Sequence, residues 1–261
     1  MSKQQVGDIS MYYELSGEGD PVLFLHGLGS SSMGWQLQKE PFAQNYQVIL
    51  ADMRGHGRSD HPSGPYSVAQ FAVDVAGLLD GLEITKPVHL VGLSMGGMIG
   101  FQMGLDYPDK IKTLTIVNSG PELISKTFRD KMMIWQRKIM VNLFSLEKIG
   151  NAIAGRLFPE PEQAEFRELF VKDLLQNDKA SYKAAVNALF GWSVRKRIGQ
   201  IECPVLVVTA DQDYTPVAAK EAYVAEMPQA QLLVIENSHH ATPIDQADVF
   251  NTAVLDFLAA H

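Results

Sequence analysis

Gly92-Leu93-Ser94-Met95-Gly96 fits the pattern G-x-S-x-G. That spacing suits a serine hydroxyl presented on a turn so tight that the flanking residues must be small. The hydroxyl is a poor nucleophile until a base removes its proton, so it needs a histidine, and the histidine needs a carboxylate to orient its ring. Of the seven histidines, His26, His56, His61 and His89 precede the serine and His261 is terminal. His239 and His240 come after the last apolar run. Asp211 and Asp213 follow another such run, whereas Asn118-Ser119-Gly120 supplies no carboxylate. Together these side chains point to acyl transfer. That chemistry also calls for backbone N–H groups aimed at the developing oxyanion, a task that favours no side-chain type.

The elements that must position these groups are readable as alternating short apolar runs and helical periods. Residues 9–15 alternate and read as an edge strand, and residues 21–25 form a short run ending at His26-Gly27. Residues 47–51 form another run, ahead of a loop rich in Gly and charge. Phe71, Val75, Leu78, Leu79 and Leu82 lie on one face of a helix within residues 66–82. Residues 88–92 predict a buried strand, 95–106 a helix and 111–117 a further strand. Runs without strict alternation, separated by helices, indicate a parallel sheet covered on both faces. Between 121 and 197 the texture becomes wholly helical, marked by Met132, Trp135, Ile139 and Leu143 and then by Phe166, Leu169, Phe170 and Leu174, with the Met and aromatic side chains read mostly as core. Strand runs resume at 204–210 and 231–236, and a closing helix is expected over 245–258. The reading is an α/β core over 1–120 and 198–261 with a helical cap inserted at 121–197.

The chain resembles the α/β-hydrolase superfamily along essentially its whole length, especially its esterase and 3-oxoadipate enol-lactonase members. The likeness rests on His26-Gly27, on Asp52-Met53-Arg54-Gly55-His56-Gly57-Arg58-Ser59-Asp60, on the Gly92–Gly97 elbow with its second glycine, and on Ala210-Asp211-Gln212-Asp213. Ala210 departs from the family's usual glycine. The resemblance implies the chain order nucleophile, acid, base. It selects Asp213 over Asp211, since the acid lies three residues beyond the glycine position. It selects His240 over His239, since an acidic residue, here Asp245, follows the base by five. The implied oxyanion donors are the N–H groups of Leu28 and Met95, with the dipole of the helix opening at Met95 adding positive potential. His26, Asp52 and Arg54 read as loop-holding residues. Trp135 and Phe144 are expected to line the substrate pocket.

What the resemblance implies is a cofactor-free serine hydrolase acting on small carboxylic esters or lactones, with no metal. Enol-lactonases, carbon–carbon bond hydrolases and perhydrolases share such a triad, and a ligand-binding receptor on this fold is the reading from a different class. A serine nucleophile argues against dehalogenases and epoxide hydrolases. Composition narrows the field from the other side. The chain has 261 residues, 46% hydrophobic and 20% charged, with 30 acidic against 22 basic side chains and a formal charge of −8. Mean hydropathy is −0.04. These values exclude general disorder. The acidity disfavours non-specific nucleic-acid binding and offers no basic patch for anionic lipid. No run approaches the roughly 18 apolar residues of a membrane span. Cys203 is the single cysteine and cannot form an internal disulfide, and the first residues lack the apolar core of a signal peptide. A soluble protein of the cytoplasm is the expectation.

Overall fold

The computed structural model describes residues 2–261, Arg129 in its backbone only. Eight strands form one sheet in the order β1-β2-β4-β3-β5-β6-β7-β8. In sequence they are β1 Ser2–Val6, β2 Ile9–Ser16, β3 Asp20–Leu25, β4 Tyr46–Ala51, β5 Val88–Leu93, β6 Ile111–Val117, β7 Val205–Ala210 and β8 Ala230–Ile235. From β4 to β8 every neighbouring pair is parallel, whereas β2 runs antiparallel to both β1 and β4. Helices α1 Gln36–Ala43, α2 Val68–Gly81 and α3 Met95–Asp106 are interleaved with the strands. Between β6 and β7 come α4 Phe128–Leu143, α5 Leu146–Leu157, α6 Ala164–Leu174 and α7 Lys179–Leu189, with α8 Val217–Val224, α9 Thr242–Asp245 and α10 Ala247–Ala259 after β7.

The central strands are mostly apolar and buried at nearly every position because both faces are covered, and their period of two divides the core. Leu23, Leu25, Ile49, Leu90, Ile116 and Val207 point to the side packed by Phe71, Val75, Leu78 and Ile99 of α2 and α3. Val22, Phe24, Leu50, Val91, Val117 and Val208 point to the other side, where Trp35, Phe42, Phe250 and Val254 pack. The parallel strands therefore end together on one rim, and their carboxyl-terminal loops converge there. Asp52 stiffens one of these loops, accepting from the Ser32 and Arg58 N–H groups at 2.7 and 2.8 Å. Arg54 ties the same loop to α2 through Asp74, at 2.7 Å from Nε.

Several elements differ from the sequence reading. Residues 9–15 are not an edge strand: β2 is flanked on both sides, and β1 takes the edge. Ser2–Val6 is mostly polar and buries only Val6, so it carries no apolar run to betray it. The closing helix is broken, since Gln246 at φ −132° and ψ 47° separates α9 from α10. On α4, Met132 (42% exposed) and Trp135 (63%) face solvent and are not core. Arg137 and Val141 occupy the inward side of that helix.

Elsewhere the helical stretch is tied down by polar contacts. Asp173 of α6 accepts from Ser30 Oγ at 2.9 Å and from Ser31 Oγ at 2.5 Å. Asn177 accepts from the Gly57 N–H at 3.1 Å and donates to the Gly29 carbonyl at 3.0 Å. Where the chain leaves and returns, Glu122 and Ser193 form an isolated antiparallel bridge. The stretch is thus clamped against the loops that follow β3 and β4.

The packing of α3 on the sheet generates a paired prediction. A Cβ at Gly96 would lie 2.0 Å from the Leu25 carbonyl oxygen, a backbone atom that cannot yield without moving β3. Gly155, on α5, has nothing within 4 Å of an added Cβ. Gly96→Ala is expected to cost about 3 kcal/mol or to prevent folding, whereas Gly155→Ala is expected to stabilise by about 0.5–1 kcal/mol through helix propensity. Urea unfolding of the two variants reads both, and equal midpoints would contradict the close approach at Gly96.

Candidate active site

Ser94 caps α3 with φ 53° and ψ −109°, a left-handed conformation that a serine adopts only when its surroundings impose it. The imposition is visible. The Ser94 N–H donates to the Val117 carbonyl at 2.9 Å, its own carbonyl accepts from Ser119 Oγ at 2.7 Å, and the Met98 N–H closes the first helical turn on the same oxygen at 3.0 Å. Gly92 is obligatory because an added Cβ would sit 2.3 Å from the Gly96 carbonyl oxygen. The Met95 N–H occupies the first helical position, where no intrahelical acceptor exists.

Across the rim, His240 Nδ1 lies 2.6 Å from Asp213 Oδ1. That contact places the imidazole proton on Nδ1, as donor to the carboxylate, and leaves Nε2 as the acceptor nitrogen. Asp213 is almost wholly buried, at 1% side-chain exposure. Burial alone pushes its carboxyl up, but the hydrogen bond and charge of His240, followed by Lys220, outweigh this and hold it well below the usual carboxylate range. Tyr214 stacks on the His240 ring, with centroids 4.3 Å apart and planes at 21°.

The competing residues have other duties. Asp211 Oδ1 accepts from the Ser238 N–H at 3.0 Å, bracing the turn between β8 and the histidine loop. Asp245 accepts from the His239 N–H at 2.7 Å and from Ser238 Oγ at 2.8 Å, so its carboxylate closes the loop that α9 ends. His26 accepts the Met53 N–H on Nε2 at 3.0 Å and donates from Nδ1 to the Gly27 carbonyl at 2.8 Å. Burial lowers its pKa, against the opposing charge of Asp52. Both ring nitrogens are therefore spent on holding the loop that follows β3.

Sequence reasoning gave no signal for Asn118 or Lys220. Asn118, at φ 44°, stands where β6 ends. Its Oδ1 accepts the Ala210 N–H at 2.8 Å, and its Nδ2 donates to the His240 carbonyl at 2.9 Å and to Thr242 Oγ1 at 2.8 Å. One side chain thus joins the end of β7 to the histidine loop. Lys220, seven residues beyond Asp213, places Nζ 2.5 Å from Asp213 Oδ2 with both side chains at 1% exposure. Neither residue type signals a site on its own, and a lysine on a helix ordinarily reads as solvated.

Ser94 and His240 share a cavity of about 150 Å³ with Gly27, Leu28, Leu93, Ile153, Leu157, Phe158, Phe170 and Arg137. No hydrogen bond joins Ser94 directly to His240 among the described residues. A second, apolar cavity of about 310 Å³ shares Ser30, Gly34, Phe158, Phe170 and Ile244 with the first and extends past Met33, Leu37 and Leu169. Arg137 donates to the Tyr182 hydroxyl at 2.8 Å and has no carboxylate within 4 Å among the described residues. The expected pocket residues Trp135 and Phe144 line neither cavity and are 63% and 44% exposed. The reason is helical phase. Trp135 sits two residues, about 200°, away from the inward-facing Arg137, and Phe144 lies past the end of α4 as its C-cap. Among the described residues, no group of three or more His, Cys, Asp or Glu side chains is placed to hold a metal ion.

Comparison with known proteins fits this architecture. A family model described as the alpha/beta hydrolase fold matches residues 20–183. The chain is 30% identical over 253 residues to 3-oxoadipate enol-lactonase 2 of Acinetobacter baylyi, covering 95% of this chain and 92% of that protein. It is 28% identical over 263 residues to the putative carbamate hydrolase RutD of Azorhizobium caulinodans, with 96% of each chain covered. The crystal structure of the enol-lactonase from Burkholderia xenovorans LB400 superposes with a TM-score of 0.92 over 99% of this chain and 100% of its own, at 23% identity, a likeness of fold. With a family model matching more than half its length and a hydrolase relative aligned along nearly all of it, the chain belongs to the alpha/beta hydrolase fold family.

Proposed function

We propose that the protein is a serine hydrolase cleaving small carboxylic esters or lactones through an acyl-enzyme, with Ser94 as nucleophile, His240 as general base and Asp213 as the orienting acid. The observation that carries this reading is the 2.6 Å Asp213–His240 contact opening onto the same cavity as Ser94. In this scheme Ser94 Oγ attacks the carbonyl carbon as His240 Nε2 takes its proton. The N–H groups of Leu28 and Met95 receive the oxyanion. His240 then returns the proton to the leaving alkoxide, and the acyl group is lost to a water that His240 activates. A lactone keeps its alkoxide tethered, so one molecule leaves where an ester gives two. No cofactor enters the scheme. The helical segment 121–197 serves as a cap over the cavity, since Arg137, Ile153, Leu157, Phe158 and Phe170 all belong to it. The cytoplasm is the proposed site of action.

Within that class, Arg137 favours substrates carrying a free carboxylate. It is a guanidinium on an otherwise largely apolar wall, without a carboxylate partner of its own. Similarity to an enol-lactonase supports the lactone side of the reading.

Ser94→Ala is expected to lower kcat on p-nitrophenyl acetate by about four orders of magnitude with an unchanged unfolding midpoint. A folded variant that turns over normally would exclude Ser94 as nucleophile. Arg137→Gln is expected to raise KM for a carboxylate-bearing lactone such as 3-oxoadipate enol-lactone by about tenfold to a hundredfold, the worth of a charged hydrogen bond. KM for neutral p-nitrophenyl acetate should stay within a factor of about two. Equal effects on both substrates would show that Arg137 only supports packing through Tyr182.

A further inference from the structure

Lys220 stands out because it holds the oxygen of Asp213 that His240 does not use. Long side chains on a helix lean toward its N-terminus, and Lys220 on α8 accordingly reaches back over the turn that carries the acid. An ammonium has three N–H donors and no acceptor. Nζ finds three oxygens: Asp213 Oδ2 at 2.5 Å, the Thr215 carbonyl at 2.7 Å and Thr215 Oγ1. Thr215 Oγ1 in turn donates to Asp213 Oδ2 at 2.9 Å. Of the described residues, only Thr215 and Lys220 approach that oxygen through a side chain, and only Lys220 is a cation.

A buried lysine this close is a costly arrangement unless its charge is matched. It is matched by the carboxylate that also holds the imidazole, so one negative charge serves two cationic partners when His240 is protonated. We propose that Lys220 is a positioning residue that locks the Asp213 carboxylate and offsets its charge, so that His240 becomes neutral, and able to act as base, at a lower pH than Asp213 alone would set. This rests on the reading of Ser94, Asp213 and His240 as a triad.

The other groups around the imidazole are arranged differently. Tyr214 stacks on the ring, and the Tyr223 hydroxyl, pushed far up by burial and then by the charge of Asp213, bonds to the Ser119 carbonyl at 3.0 Å. Arg195 lies over the ring of Tyr223, at 5.9 Å from its centroid. On the histidine's own loop, His239 faces Asp245, its ring nitrogen 3.8 Å from that carboxylate. From the loop after β3, His26 lines the cavity with both ring nitrogens occupied. From the helical segment, Arg137 lines the cavity, and Arg156, like Arg137, acts on Tyr214. None of these cations is bonded to Asp213.

A base must be neutral to accept a proton, so kcat/KM falls on the acid side as the imidazole protonates, and that limb reports the free enzyme. Removing a neighbouring positive charge favours the imidazolium, which moves the limb to higher pH. The experiment is the kcat/KM–pH profile on p-nitrophenyl acetate for the wild type, Lys220→Gln, Lys220→Met and Lys220→Arg. The midpoint of a limb does not depend on how much of the preparation is folded, so a destabilised variant remains informative. Lys220→Gln and Lys220→Met are expected to move the acid limb upward by about one pH unit, and Lys220→Arg to leave it near the wild-type position. Limbs that coincide in all four proteins, with only the plateau lowered, would overturn the proposal and leave Lys220 a structural support. The same series run on a Ser94→Ala background separates the two claims. Undiminished turnover there would instead bring down the triad itself.

Discussion

The turn from β5 into α3 leaves no space for a side chain at Gly92 or Gly96, and the rest of the site is placed relative to it. Two backbones approach within contact there, so the serine between them is driven to positive φ, and its hydroxyl is raised onto the rim where the parallel strands end. The surrounding core keeps that conformation from relaxing. Leu25 and Leu90 pack on one face of the sheet, Val91 and Val117 on the other, and Ser119 and Val117 hold the serine's own backbone polar groups. The strained conformation persists because these hydrogen bonds and the packing around it over-determine it.

The second half of the site depends on a single buried carboxylate. Asp213 gives one oxygen to His240 and the other to Lys220 and Thr215. Its charge is dispersed over fixed donors, which is how a carboxylate persists at such depth. Asn118 supplies the link between the two halves of the rim. It stands at the end of the strand next to β5 and bonds both to the end of β7 and to the histidine loop. Ser94, Asp213 and His240 come from three loops, and the side chain of Asn118 keeps two of those loops in register.

Legibility in the sequence follows the same division. Where a residue's type is dictated by local geometry, the letters suffice: the glycines around Ser94 and the doubly buried strands read directly. Where a residue's role depends on phase or depth, they do not. The polar β1 has no apolar run because an edge strand buries little, so Ser2–Val6 gives no strand signal and residues 9–15 read as the edge. Trp135 is large and apolar, yet its helical phase turns it to solvent and brings Arg137 to the cavity instead. Lys220 looks like any helical lysine until the fold shows that its chain crosses back to Asp213. Choosing Asp213 over Asp211 and His240 over His239 needed a family resemblance, because adjacent or near-adjacent identical residues differ only in register. The structure adds what each does: Asp211 braces a turn, and Asp245 holds the backbone of His239.

The central claim is that Ser94 is the hydroxyl made nucleophilic by the His240–Asp213 pair. Phosphylation with diisopropyl fluorophosphate, followed by peptide mass mapping, tests it most directly. The account predicts a single stoichiometric adduct on the peptide carrying Ser94, formed in step with loss of esterase activity and absent when His240 is replaced by Ala. A label on any other residue, or full turnover by the fully labelled protein, would contradict it.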